Sequence, residues 1–239
     1  MFAALVKKDM RLLQHYLLAA VVATLGCYIV TAAGVIWLTA YQDESMQTLP
    51  VRSFLLLRSG HTLGFGATAF CSVLIAGSIF TLERADRSAE FLACLPPSRL
   101  QHLASKFSVL FGMAALMIFV HITAALVSDT LLPHVRATNY PFTNGTQMSV
   151  VFRFVAIVLS MTGGALAVSA WQNSNGVPIL CGLLTPPGII ALLQLLTYLL
   201  DVPMSDPDDF INRFSVFASL AGLGLIFCGA YWYIERTEP

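Results

Sequence analysis

Charge is the scarcest commodity in this chain. Its 239 residues hold only 13 Lys and Arg against 13 Asp and Glu, 11% in all, where a soluble domain carries about 25%. That is too little to cover a folded surface with polar groups, so lipid must form part of its solvent. The net charge is zero, so nothing supplies the basic footprint that nucleic-acid binding needs. No glycine is followed by lysine, which excludes the phosphate-cradling loop G-x-x-x-x-G-K-[ST]. The five cysteines contain no C-x-x-C spacing, so neither a zinc site nor a disulfide framework is indicated. Cys27, Cys71, Cys181 and Cys228 fall in apolar runs and read as small buried side chains, while Cys94 falls on a polar stretch.

Long apolar runs are what the chain has in abundance. Six are long enough to cross a bilayer, which takes about 20 residues: approximately 16–40, 62–82, 106–128, 149–171, 178–200 and 213–234. Each must be helical, because unpaired backbone groups are not tolerated in hydrocarbon. The fold class expected is therefore an all-α polytopic membrane protein, one transmembrane domain over 1–239. Ahead of the first span, Phe2, Leu5, Val6, Met10, Leu12 and Leu13 fall on one side of a helix and Lys7, Lys8, Arg11, Gln14 and His15 on the other. This predicts an interfacial amphipathic helix over Phe2–His15, lying in the headgroups. Asp9 points into its apolar arc, where it either pairs with a neighbouring element or is tolerated at the membrane edge. A cleaved signal sequence is a poorer reading of this end, since the apolar stretch runs for about 24 residues, too long for a secretory core.

Basic residues set the orientation. With the N-terminus inside, the inner parts hold Lys7, Lys8, Arg11, Arg84, Arg87, Arg99, Lys106 and Arg236, and the outer parts Arg52, Arg58, Arg136, Arg153 and Arg213. The bias favours cytoplasmic termini; the localisation expected is a plasma membrane, the bacterial inner membrane. Residues 51–58 read as a short interfacial helix in the first outer loop. Asp206-Pro207-Asp208-Asp209 reads as an N-terminal cap with proline in the first turn of the last span.

A polar island interrupts this lipid-like chain. Residues 80–106 hold seven of its 26 charges: Glu83, Arg84, Asp86, Arg87, Glu90, Arg99 and Lys106. Pro96 and Pro97 stop any arriving helix, and Ser98 with Gln101 forms a capping box that restarts one. The island thus reads as a stiff hairpin presenting Glu83, Arg87 and Glu90 on a short surface helix to a water-soluble partner. Here the chain resembles the ABC type-2 permeases, the membrane subunits of ATP-binding-cassette exporters. Leu5-Val6-Lys7-Lys8-Asp9 is similar to the start of that family's elbow helix. Glu83, Glu90, Leu92, Leu95, Pro96, Ser98, Arg99 and Lys106 match its pattern between spans two and three, although Ser88 and Ala89 stand where a glycine is common.

The resemblance implies that Glu83, Arg84, Arg87, Glu90, Phe91, Leu95, Pro96 and Arg99 dock into an ATPase subunit, and that Lys7, Lys8, Asp9 and Arg11 belong to the elbow. It implies two separate ATPase subunits that hold ATP and Mg, none being bound by this chain. A second permease copy, as homodimer or paralogue, would complete the path, and the cargo would be an amphiphile such as a lipid, peptide or antibiotic. For the path itself, Thr185-Pro186-Pro187-Gly188 predicts a broken fifth span, and His121 is an ionisable group at membrane depth that serves either the path or plain hydrogen bonding. Gly64-x-Gly66-x-x-Ala69 fits a dinucleotide fingerprint but lies inside an apolar helix, so Gly60-x-x-x-Gly64 and Gly163-Gly164 read instead as close helix contacts. Two rival classes were weighed. Glu83-x-x-x-Arg87 resembles part of an intramembrane protease motif, yet His102, His121 and His134 lack the acid or Asn spacing a metal would need. A non-transporting scaffold or assembly subunit is the other.

Overall fold

The computed structural model describes residues 2–41, 49–85, 98–131, 147–172, 174–200 and 207–236. Every element among them is helical: α1 Phe2–Leu12, α2 Gln14–Tyr41, α3 Leu49–Ser78, α4 Thr81–Ala85, α5 Arg99–Leu131, α6 Gln147–Ser169, α7 Gly176–Leu199 and α8 Pro207–Arg236. Six of these, α2, α3 and α5 to α8, are long and apolar enough to cross a membrane. Hydroxyls within them close onto carbonyls a turn behind, as Thr24 does on Ala20, Thr68 on Gly64, Thr185 on Cys181 and Ser219 on Ser215. The spans thereby carry polar side chains into lipid without leaving those hydroxyls unsatisfied.

The bundle is organised around α3, which packs on α2, α5, α6 and α7. Glycines permit the closest crossings. A Cβ on Gly182 of α7 would stand 2.7 Å from the Met161 carbonyl oxygen of α6, and one on Gly222 of α8 would strike the Leu159 backbone. Without such side chains the backbones meet directly, which is how helices associate where lipid removes the hydrophobic drive. Leu13, Val73, Phe80, Leu110, Leu166 and Ile226 belong to the main buried cluster, which joins α3, α5, α6 and α8 with the turns at Leu13 and Phe80 toward the α1 end. A smaller cluster of Ala156, Leu193, Phe214 and Ala218 closes the opposite end.

Three expectations from the sequence need correction. The amphipathic helix stops at Leu12; Leu13 is a turn, buried in the main core, and Gln14 and His15 already belong to α2. Leu13 joins the main core cluster, against which Val6 of α1 and Tyr16 and Leu17 of α2 also pack. Residues 51–58 are not a separate interfacial helix but early turns of the 30-residue α3. The Thr185–Gly188 segment does not break the fifth span: α7 runs through Pro186 and Pro187 as one α-helix. The two prolines are adjacent, so the lost donors free consecutive carbonyls in one turn, and one of those belongs to Gly182, whose bare backbone sits against α6.

Candidate functional site

At the α1 end the structure gathers charged residues that lie far apart in sequence. Leu5 and Asp9 are one turn apart on α1 and both are buried, so this face rather than the whole helix docks on the bundle. Opposite stands α5, presenting Ser105 and Lys106; from above comes Glu83 on the short α4. Lys106 Nζ lies 2.7 Å from Glu83 Oε2 and 3.5 Å from Asp9 Oδ1. Lys8 Nζ lies 2.6 Å from Glu83 Oε1 and 3.6 Å from Asp9 Oδ1. The Ser105 hydroxyl donates to Asp9 Oδ2. Two ammonium groups and two carboxylates thus form a closed, formally neutral ring.

Its burial is what sets this ring apart from an ordinary surface network. The side chains of Lys106, Asp9 and Glu83 are 1%, 2% and 4% exposed. Buried ions persist only when their hydrogen-bonding capacity is met. Lys106 is paired with Glu83 and donates to the Ile79 carbonyl at 3.3 Å, while Asp9 accepts from Ser105 through Oδ2 and meets the two lysines at Oδ1 only as ion pairs, without a hydrogen bond. Its ammonium also lies 5.7 Å from the centre of the Phe80 ring, which stacks in turn on Tyr233 of α8 at 4.5 Å. The Tyr233 hydroxyl reaches Glu83. His102, one turn before Lys106, is 7% exposed and adds a titratable ring beside the cluster. The clasp therefore ties α1, α4, α5 and α8 together.

Arg84, the next residue, turns the other way. Its guanidinium donates to the Ser169 and Ala170 carbonyls, 3.2 Å in the latter case, at the C-terminal end of α6. Beside it Thr81 donates to the Asn175 side chain at the entrance to α7. Arg99 is exposed and donates to the Ile234 carbonyl of α8 at 2.8 Å. Ser98 accepts the Gln101 amide at 3.3 Å, the cap foreseen from the sequence.

For two of the expected docking residues the placement differs from an exposed one: Glu83 is buried and doubly paired, and Arg84 is half-buried and held by α6. Arg87, Glu90, Phe91, Leu95 and Pro96 lie outside the described residues. On the elbow, Lys7 and Arg11 are exposed while Lys8 and Asp9 enter the clasp, so the open question about Asp9 is settled in favour of pairing. Sequence reasoning missed Ser105, His102 and Tyr233 as members of the site. The available signal was that Asp9 falls in the apolar arc of the amphipathic helix, where a carboxylate needs a partner.

The two path candidates are not brought together. His121 is fully buried among α2 and α3, accepting or donating at 3.0 Å to the Tyr28 hydroxyl and pressed on Gly64. Thr185 faces Gly164 of α6, while Pro187 and Gly188 are exposed on the outer side of α7. Among the described residues no group of His, Cys, Asp and Glu stands ready to hold a metal.

A six-span helical bundle with a docked amphipathic N-terminal helix and a buried ionic clasp at its foot is the architecture of a polytopic membrane protein. Residues 14–185, more than half of the chain, match the family model of the ABC-2 family transporter proteins, and the chain belongs to that family. No curated protein and no solved structure matches it. The matched region includes Glu83 and Lys106 but begins after Lys8 and Asp9 and ends before Tyr233.

Proposed function

We propose that this chain is the membrane-embedded half of an ATP-binding-cassette exporter, driven by two separate ATPase subunits that hold ATP and Mg, and paired with a second copy or a close paralogue. The reading places both termini and the 83–98 region on the cytoplasmic side of a bacterial inner membrane. Its cargo is an amphiphile moved between the two halves. The observation that carries this reading is the clasp: Glu83 and Arg84, which stand just before residues 86–97 in the sequence, bind α4 to the elbow, to α5 and α8, and to α6. A load applied to residues 86–97 by an ATPase would then reach every one of these elements as a rigid body, since buried charged contacts permit little slack.

The division of labour follows from burial. Glu83 and Arg84 anchor the segment, and contact with the ATPase falls to Arg87, Glu90, Phe91 and Leu95. The test is to purify the chain with its ATPase and reverse charges at Arg87→Glu and Glu90→Arg. Both variants should insert and fold normally while losing permease-dependent ATP turnover and co-purification. Normal co-purification and turnover in both would refute the assigned role.

A further inference from the structure

The forking of two adjacent side chains has a mechanical meaning. Glu83 reaches α1 and α5; Arg84 reaches the far hairpin made by α6 and α7. That hairpin turns within residues 170–175 and is held against the α3–α4 corner at three points. Gly77 lets α3 approach so closely that a Cβ there would stand 2.8 Å from Ile179 and 3.5 Å from Pro178. Thr81 binds Asn175, whose side chain consequently makes no cap to α7. Arg84 binds the last carbonyls of α6.

A cation at a helix C-terminus satisfies orphan carbonyls and opposes the helix dipole. A Lys or Arg in the last turn of α6 would do this locally, and that turn has no basic residue. The cation comes instead from a residue 85 positions away, on the element that leads into the 86–97 segment. A guanidinium is also a planar fork that engages two carbonyls in fixed geometry, so it resists sliding in a way a single ammonium cannot. The Gly77 contact is apolar and allows slip along the helix; the Arg84 contact does not.

We propose that Arg84 is the positioning residue that transmits displacement of the 86–97 segment into the α6–α7 hairpin, in parallel with the route through Glu83 to the elbow. Without it, the ATPase would still move α1 and α5 but leave α6 and α7 behind. This rests on the reading that residues 86–97 engage an ATPase, and the test separates the two claims.

Spin-label amino acids are encoded at exposed Ser174, beside the hairpin turn, or at exposed Gln14, beside the elbow, in the purified complex with its ATPase. Distances between the two permease copies are measured without nucleotide and after trapping with ATP and vanadate. In the native chain both label pairs should change distance. In Arg84→Gln the change at 174 should be lost while that at 14 persists, and Arg84→Lys should recover part of it. Native labels that do not respond to trapping sink the functional reading itself. A native response with an undiminished one at 174 in Arg84→Gln overturns the role of Arg84 alone, and so does loss at both positions together, the mark of a merely structural residue. Should Arg84→Gln not assemble with the ATPase, hydrogen exchange on the chain alone decides. The amides of Ala170, Trp171 and Gln172 should exchange about tenfold faster in the variant, the worth of one charge-assisted hydrogen bond. Unchanged exchange there overturns the inference.

Discussion

Lys106→Met is the perturbation that most directly tests the physics of the clasp. Methionine keeps the length and volume of the stem and removes only the charge. In the native protein, opposite charges whose centres lie about 4 Å apart attract by about 4 kcal/mol at an effective dielectric of about 20. Dehydrating each ion costs several kcal/mol, so the intact ring sits close to balance. Removing Lys106 upsets that balance, because Glu83 and Asp9 remain buried with only Lys8 between them, at 2.6 and 3.6 Å. The expected loss is about 3–5 kcal/mol, the usual cost of leaving a buried charge uncompensated. A built-in control is Arg213 with Asp209 on α8: the contact is 2.6 Å against 2.7 Å for Lys106 with Glu83, but the side chains are 43% and 47% exposed. Arg213→Ala should therefore cost less than about 1 kcal/mol despite the slightly shorter distance. Unfolding free energies measured by steric trapping in bicelles give both numbers in a bilayer-like solvent. If Lys106→Met falls within about 0.5 kcal/mol of the native chain, as an exposed pair would, the buried ring is not what holds this end together.

The glycine contacts make two further predictions, each with its own control. Gly64→Ala drives a methyl group into the fully buried imidazole of His121, whereas Gly66→Ala points into open space; the first should destabilise by about 1–3 kcal/mol and the second hardly at all, read by the same unfolding measurement. Gly163→Ala or Gly222→Ala should separate α6 from α8 by forcing a side chain onto the other helix's backbone, while Gly224→Ala, with nothing near it, should be silent. A loss of detergent-resistant monodispersity in the first two variants and not in the third is the expected pattern; equal behaviour of all three would refute the close-crossing argument.

Much of this architecture was legible in the sequence because lipid simplifies the rules. Six runs such as residues 178–200 must be helices once the composition demands a membrane, and the six observed spans overlap them. The Ser98–Gln101 cap was also legible, being set by local chemistry. What failed was any inference requiring knowledge of which face meets which neighbour. Glu83 looked like a surface residue because charged residues follow it, yet its burial depends on Lys8 and Lys106, 75 and 23 positions away. The Pro186-Pro187 pair looked like a break because sequence shows the lost donors but not the α6 backbone against Gly182. The amphipathic arc of α1 gave the right face for Asp9 and the wrong end for the helix, since no proline or glycine marks the interruption at the buried Leu13.

The pairing pattern also separates stability from docking. Within the ring, Lys8 and Asp9 both belong to α1, and Glu83 and Lys106 both belong to the bundle. Each side is therefore neutral by itself, so α1 can lift away without stranding an unpaired charge on either side; what it gives up are two crossing ion pairs, Lys8 to Glu83 and Lys106 to Asp9, and the Ser105–Asp9 hydrogen bond. Replacing the bundle pair with Glu83→Gln and Lys106→Met together removes both crossing ion pairs, keeps the Ser105–Asp9 hydrogen bond and leaves no lone carboxylate in the bundle. Global unfolding stability should then stay within about 1 kcal/mol of the native value, because exchanging a whole buried pair for uncharged side chains is often neutral. Amide exchange along α1 should nevertheless accelerate several-fold, while α5 amides beyond Val109 keep their protection. The two single variants flank this result: each alone should lose stability, and the double should cost far less than their sum, as for residues sharing one network. Unchanged exchange along α1 in the double variant would show that Leu5, its apolar neighbours and the Ser105–Asp9 hydrogen bond, and not the ion pairs, hold the elbow in place.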